Sequence, residues 1–403
     1  MALRVQKYGG SSLADSVRIK HVADRIAEAH ALGDQVVVVV SAMGDTTDHL
    51  TELARELTET PDPREMDLLL STGELVSCTL LAMALREKGI EAVSLGGGQA
   101  GIYTDTVYGK ASITSVDSAR IENELQEGRI VIVAGFQGVN EWSDVTTLGR
   151  GGSDTTAVSL AAALRANQCE IFTDVDGIFT ADPRIAEEAR KLDEIGYDEM
   201  LELASHGAKM HPRSIELGAW YKVPILVTSS LHKVSGTLIH DGVHMEIKNK
   251  VRGVTYQKGI ARISVRGVPD KPGIAATLFG PLSEAQISVD TIVQNASMDR
   301  LTDVSFTVSQ GDAQRALDVA SEVTQAIGAR ECSCDENLGD VSIVGTGMEN
   351  APGYAALMFK SLSDVGINIE MITTSQIRIT CIIDESKVGD AVSVLHKAFD
   401  LDG

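Results

Sequence analysis

Val36 to Val40 are five consecutive valines, followed by the turn Ser41-Ala42-Met43-Gly44. β-Branched side chains favour extended backbone. A strand that is apolar on both faces belongs in the middle of a parallel sheet covered by helices. The pattern returns at Ile130-Val131-Ile132-Val133-Ala134, at Glu170-Ile171-Phe172-Thr173 and at Pro224-Ile225-Leu226-Val227. Helical patterns over 16–30, 66–86 and 155–166 lie between these runs. The alternation predicts βαβ units through about residue 245, with ligands outside the carboxyl ends of the strands.

Past residue 250 the chain repeats itself. Pro272-Gly273-Ile274-Ala275-Ala276 recurs 80 residues later as Pro352-Gly353-Tyr354-Ala355-Ala356, and nine of the 21 positions over 272–292 are identical at that offset. Each copy reads strand, turn, helix, strand, strand, helix, a split α+β topology. So small a module has a small core, so pairing between copies or chains is expected. Such a pair serves either as a dimerisation element or as a small-molecule sensor.

Hydrophobic residues make up 43% of the 403-residue chain, enough to bury a core. Asp and Glu outnumber Lys and Arg by 57 to 35, a formal charge of −22. That balance argues against nucleic acid or an anionic membrane as partner, but not against small anions, which feel local charge. No membrane-spanning stretch is expected. Lys7 and two glycines stand where a secretory leader would have its apolar core. Cys78, Cys169, Cys332, Cys334 and Cys381 are odd in number and lack zinc spacing, which fits free thiols in a reducing cytoplasm.

Five segments could carry chemistry. Lys7-Tyr8-Gly9-Gly10-Ser11-Ser12 follows the first strand; paired glycines let backbone N–H groups meet an anion, and Lys7 adds a full charge. It is not a P-loop. Thr147-Leu148-Gly149-Arg150-Gly151-Gly152-Ser153-Asp154 opens a helix, where an arginine fork suits a carboxylate or phosphate. Thr173-Asp174-Val175-Asp176-Gly177-Ile178-Phe179 begins like a calcium loop but has isoleucine at its fifth and twelfth positions, Ile178 and Ile185. Phe179 could cover an adenine, with Arg184 near phosphates, or be a core residue. Glu74, in an otherwise apolar helical stretch, is either exposed or the partner of a bound amine. His211, beside Pro212, reads as structural more readily than as a general base.

Together these segments resemble the aspartate kinases of the amino-acid kinase family. The motifs are KYGGSS at 7–12, SAMGDTTDHL at 41–50, STGE at 71–74, VAGFQG at 133–138, TTLGRGGSDTTA at 146–157, FTDVDGIFTADPR at 172–184, and a repeat similar to tandem ACT domains. The resemblance implies a parallel-sheet α/β sandwich kinase domain over 1–245, then two α+β ferredoxin-like ACT domains over 258–332 and 338–403. It implies ATP- and Mg²⁺-dependent phosphorylation of the β-carboxylate of L-aspartate. Lys7 and Asp154 are the implied catalytic pair. Ser41, Thr47, Glu74, Arg150, Gly151, Gly152 and Ser153 are the implied substrate contacts. Lys7, Tyr8, Gly9, Gly10, Thr173, Asp174, Phe179, Asp182, Arg184 and Lys209 would hold ATP, with no metal ligand set supplied by the protein alone. One residue separates Lys209 from His211 where the family usually has two, so Lys209 is expected to shift.

The ACT resemblance implies feedback by lysine, threonine or both. The implied effector residues are Asp270, Gly273, Ala275, Asp290, Gln294, Asn368, Ile369, Thr374 and Ser375. A homodimer or higher homo-oligomer through these domains is expected, and Met245 could start a separate regulatory chain. The alternatives are a kinase of the same fold acting on another small acid, and a non-catalytic amino-acid sensor.

Overall fold

A computed structural model describes residues 2–241, 250–295, 300–348 and 351–402. Met245 lies outside the described residues. The chain forms two compact units, one of residues 1–179 and 191–245, the other of 180–190 and 246–403.

The first unit begins with β1 (Leu3–Tyr8), α1 (Ser16–Ala31), β2 (Gln35–Val40), α2 (Thr46–Leu57) and α3 (Pro63–Glu87). Next come β3 (Ala92–Leu95), β4 (Ile102–Thr104), β5 (Ile113–Val116), α4 (Ala119–Gln126) and β6 (Ile130–Ala134). They are followed by β7 (Gln137–Val139), β8 (Val145–Thr147), α5 (Gly152–Ala163) and β9 (Gln168–Thr173). β10 (Glu194–Gly196), α6 (Tyr197–Ser205), α7 (Pro212–Tyr221), β11 (Ile225–Ser229) and β12 (Thr237–His240) complete it. Eight strands form one sheet in the order β10-β12-β11-β9-β1-β2-β6-β3, and β5-β4-β7-β8 form a smaller sheet. The larger sheet is parallel except where β12 runs against β11.

The valine run sits where its composition requires. β2 lies between β1 and β6, and Val36, Val38 and Val40 join a buried cluster with Ile19, Val22, Ile26 of α1 and Leu81, Leu85 of α3. Val37 and Val39 are also fully buried, on the opposite face, where α5 packs against β1, β2 and β9. α5 has no wet face over its first ten residues, so helices cover both sides of the sheet centre. α3 departs from the sequence expectation: by length and mean hydropathy it reaches the range of a membrane span. One face packs on α1, β3 and β6, with Asp67 and Glu74 buried on it, while Leu68, Leu75, Val76, Leu80 and Met83 of the other face are exposed.

The second unit contains β13 (Gly253–Pro269), α8 (Ile274–Glu284), β14 (Ile292–Gln294), β15 (Leu301–Ser309), α9 (Ala313–Ile327) and β16 (Glu331–Val344). α10 (Tyr354–Asp364), β17 (Met371–Thr374), β18 (Arg378–Asp384) and α11 (Val388–Ala398) follow. Its sheet order is β14-β15-β13-β16-β18-β17, antiparallel throughout. Each repeat copy is a ferredoxin-like α+β module with its own core, one built on α8 and α9, the other on α10 and α11.

Two segments cross the boundaries expected from sequence. The first part of β13 pairs with the end of β16, from Gly253↔Val344 to Gln257↔Asp340, and Val251 and Val254 lie in the core of the second copy. A segment preceding the first copy therefore supplies the fourth strand of the second. Residues 180–190 belong to the second unit, although the residues on either side belong to the first. Ala181 and Ala186 are buried in the second copy's core, Thr180 Oγ1 lies 2.9 Å from His396 Nε2, and Arg190 Nε donates to the Leu401 carbonyl at 3.0 Å.

Candidate active site

β1 ends at Lys7-Tyr8 between β2 and β9, so whatever Lys7 binds stands at the carboxyl edge of the sheet centre. Its ammonium lies 2.6 Å from Asp154 Oδ1, with both side chains only 12–13% exposed. Asp154 occupies the first turn of α5, where the helix dipole favours a carboxylate. The turn after Lys7 must be glycine at Gly10, because a Cβ there would stand 2.7 Å from the Ala42 carbonyl oxygen.

These residues line a cleft of ≈ 870 Å³. Ser41, Thr47, Glu74, Arg150, Gly151, Gly152 and Ser153, the substrate residues expected from sequence, all line it with Lys7, Gly10 and Asp154. Arg150 is exposed and has no protein partner among the described residues, leaving its fork open to an anion. Gly151 caps α5 with φ 69°, and its missing side chain leaves room for the His211 ring, whose Cβ would otherwise stand 2.3 Å away. His211 thus packs under the arginine loop. Burial lowers its pKa.

Glu74 Oε1 accepts the Ala42 N–H at 3.1 Å, while the buried Oε2 has no hydrogen-bond partner. Burial pushes this carboxyl up to about 7. A buried carboxylate oxygen without a donor is costly and suits an incoming cation. The cleft therefore holds a vacant acceptor at Glu74, a vacant fork at Arg150 and a lysine–aspartate pair between the strand ends.

The expected nucleotide residues divide. Gly9 lies beside Lys7, and its N–H donates to the Phe172 carbonyl of the neighbouring strand at 3.4 Å. At the end of β9, the Thr173 hydroxyl donates to Asp174 at 3.1 Å, and Lys209 reaches Asp174, also at 3.1 Å. The shorter spacing before His211 thus still brings Lys209 to this edge. Phe179 is half-buried and bridges to Lys191. Tyr8 is different: its ring is fully buried, stacked on Phe172 at 4.6 Å, and its hydroxyl donates to Gln6, so its side chain is core. Burial raises its pKa. Asp182 and Arg184 belong to the second unit, where Arg184 Nη2 holds Asp182 at 2.7 Å and the Tyr256 hydroxyl donates to the same carboxylate.

The expected effector residues lie in the second unit; at the 80-residue offset Gln294 corresponds to Thr374, while Asp270, Gly273 and Ala275 stand at the turn into α8 and have no counterpart among those named in the second copy. Asp270 follows β13, with its N–H donating to the Arg300 carbonyl; Gly273 caps α8, and Ala275 is exposed on its first turn. Asp290 precedes β14 and Gln294 ends it. In the second copy the Asn368 amide donates to Glu370, Ile369 is half-buried, Thr374 ends β17 and Ser375 follows. β14 and β17 are the two outer strands of the sheet.

The sequence reading missed Asp67 and Phe136. Phe136 stands in the cleft with φ 68°, rare for a bulky residue. Asp67 is seven residues before Glu74, and two helical turns place both carboxylates on one face of α3. That spacing was the available signal.

Residues 2–229 match the family model described as amino acid kinase family, and 263–323 with 341–399 match an ACT domain model. An aspartokinase of Geobacillus stearothermophilus is 49% identical over 402 residues, covering 100% of this chain and 98% of that protein. The aspartate kinase Ask_LysC of Stutzerimonas stutzeri is 46% identical over 404 residues, with the same coverage. Among solved structures, E. coli aspartokinase III in complex with aspartate and ADP, in the R-state, is 27% identical with a TM-score of 0.81 over 98% of this chain and 99% of that one. The same enzyme with lysine and aspartate, in the T-state, gives 0.75 over the same shares.

Proposed function

The chain belongs to the amino acid kinase family and within it to the aspartokinases, and from that premise we propose how its cleft divides the work. The enzyme phosphorylates the β-carboxylate of L-aspartate with ATP, giving 4-phospho-L-aspartate and ADP, and is feedback-regulated through its ACT domains. The observation that carries the assignment of sides is the pair of vacancies flanking Lys7–Asp154: an unpartnered buried Glu74 oxygen and an unpartnered Arg150.

Glu74 takes the substrate ammonium, and Arg150 with Ser153 takes the α-carboxylate. Ser41, Thr47 and the backbone of Gly151 and Gly152 complete that side. The β-carboxylate then faces Lys7. The nucleotide lies on the β9 side, along Gly9, Gly10, Thr173, Asp174, Phe179 and Lys209.

A carboxylate oxygen of the substrate attacks the γ-phosphorus; the new O–P bond forms as the bond to the ADP oxygen breaks. The nucleophile is already ionised, so no protein base has to remove a proton. Catalysis is positioning and charge neutralisation. Lys7 stabilises the transferring phosphoryl oxygens, and Asp154 holds the Lys7 ammonium in place. No group of three metal-binding side chains occurs among the described residues, and Asp154 and Asp174 are each compensated by a lysine. A magnesium ion bound with the nucleotide would neutralise phosphate charge.

Lysine and threonine are the proposed effectors, bound near Asp270 and Asp290 and, in the second copy, along the segment from Asn368 to Ser375. The exposed edges β14 and β17 support assembly into a homodimer or larger homo-oligomer. Five cysteines without a disulfide among the described residues support a cytoplasmic location. The test is hydroxamate trapping with ATP, Mg²⁺ and L-aspartate. Product with L-glutamate but not L-aspartate overturns the substrate assignment.

A further inference from the structure

We propose that Asp67 is a positioning residue that sets the length of the amino-acid subsite and so its preference for aspartate over longer acids. The proposal rests on the reading of Glu74 and Arg150 as the two ends of that subsite.

Asp67 is 1% exposed yet lies in the wall of the cleft. Both its oxygens are used. The Gly109 N–H donates to Oδ1 and Oδ2 at 3.0 and 2.9 Å, the Thr147 N–H to Oδ2 at 2.8 Å, and the Thr147 hydroxyl to Oδ1 at 2.6 Å. A buried carboxylate satisfied by three donor groups is a strong and directional tie. It joins α3, which carries Glu74, to the end of β8, three residues before Arg150. Gly149 and Gly151 flank Arg150, both at positive φ, so the loop has little stiffness of its own. Thr147 is the last strand residue before this loop, and Asp67 fixes it by backbone and side chain together.

The ammonium end and the carboxylate end of the subsite thus stand on two elements, and Asp67 is the hydrogen-bonded link between them inside the cleft. A second tie joins α3 to the same hairpin outside the cleft, where the Gln137 amide donates to the Ser71 carbonyl at 2.9 Å. It offers a control: it holds the same elements together without touching the Arg150 loop.

The experiment is steady-state kinetics on the full-length Asp67→Asn, Thr147→Val and Gln137→Ala variants, with L-aspartate and L-glutamate as acceptors. Melting curves are recorded beside them. In Asp67→Asn an amide N–H₂ must face a donor. The KM for aspartate is expected to rise roughly 10- to 100-fold, the scale of a small misplacement of a substrate clamp. KM for ATP should stay within about twofold on the same scale. Preference for aspartate over the one-methylene-longer glutamate should shrink toward the ~10-fold lower end of methylene discrimination. Thr147→Val, which loses the hydroxyl alone, should move the aspartate KM the same way by less. Gln137→Ala should lower the melting temperature while leaving KM for aspartate unchanged.

An unchanged aspartate KM in Thr147→Val overturns the proposal, also where Asp67→Asn fails to fold. An equal rise in KM for ATP, or the same kinetic change in Gln137→Ala, assigns Asp67 a purely structural role and also overturns it. A wild-type enzyme that makes no acyl phosphate from aspartate is the separate failure of the substrate assignment.

Discussion

Glu74→Gln separates the cost of burying a charge from its use. The glutamine keeps the acceptor for the Ala42 N–H and removes the charge from Oε2. In the folded chain the carboxyl titrates at about 7 against an ordinary value of 4.5, because burial disfavours the ionised form. At 1.36 kcal/mol per unit, that rise corresponds to about 3 kcal/mol of stability. The folded state holds its proton above the pH at which the unfolded state has lost it. Stability is therefore lost as pH rises from 4.5 to 7, and the full penalty applies above that window. The glutamine variant should melt several degrees above wild type at pH 8.5 and nearly with it at pH 4.5. Binding runs the other way. An ammonium beside Oε2 draws the proton off, so the wild-type KM for aspartate should fall as pH rises through about 7. Glu74→Gln should lack that dependence and show a KM roughly 10- to 100-fold higher at pH 8, the loss of one charge-assisted hydrogen bond. Differential scanning fluorimetry and initial rates across pH 5–9 read both effects. A stability difference that is the same at both ends of the range, or a wild-type KM that ignores pH, refutes the argument.

Lys7→Ala should abolish turnover, as the ammonium's work is on the transferring phosphoryl group, and should lower the melting temperature because Asp154 loses its counter-ion; retained kcat removes the catalytic role. Gly10→Ala places a Cβ 2.7 Å from the Ala42 carbonyl, so activity should drop and limited proteolysis should cut the turn faster; wild-type behaviour would show that the close approach is unimportant. Asp270→Ala and Asp290→Ala should weaken inhibition by lysine or threonine without lowering uninhibited kcat, and unchanged inhibition moves the effector site elsewhere.

The catalytic half was legible in the sequence because its constraints are local. Five valines specify a central strand without reference to the rest of the chain. The glycines around Lys7 and Arg150 mark turns where backbone or ligand must come close, and every expected substrate contact lines one cleft. What escaped depends on contacts distant in sequence. Tyr8 stands inside a glycine-rich turn motif, but its ring is taken by Phe172 across the strand pair. Residues 180–190 continue a strand-end motif, yet Ala181 and Ala186 are buried in another unit's core. The strand that completes the second ACT copy precedes the first, so an offset of 80 residues could not reveal it. Asp67 is one acid among 57 Asp and Glu residues; its spacing from Glu74 places it on the same helix face, but its use shows only in the donors that converge on it.

The proposed reaction presents the β-carboxylate, not the α-carboxylate, of aspartate to the γ-phosphate. Borohydride reduction of the acyl phosphate formed from ATP, Mg²⁺ and L-aspartate, followed by identification of the amino alcohol, tests it directly. Homoserine, the alcohol derived from the β-carboxyl, is the expected product. Recovery of 3-amino-4-hydroxybutanoate, or of no amino alcohol from an enzyme that consumes ATP, contradicts it.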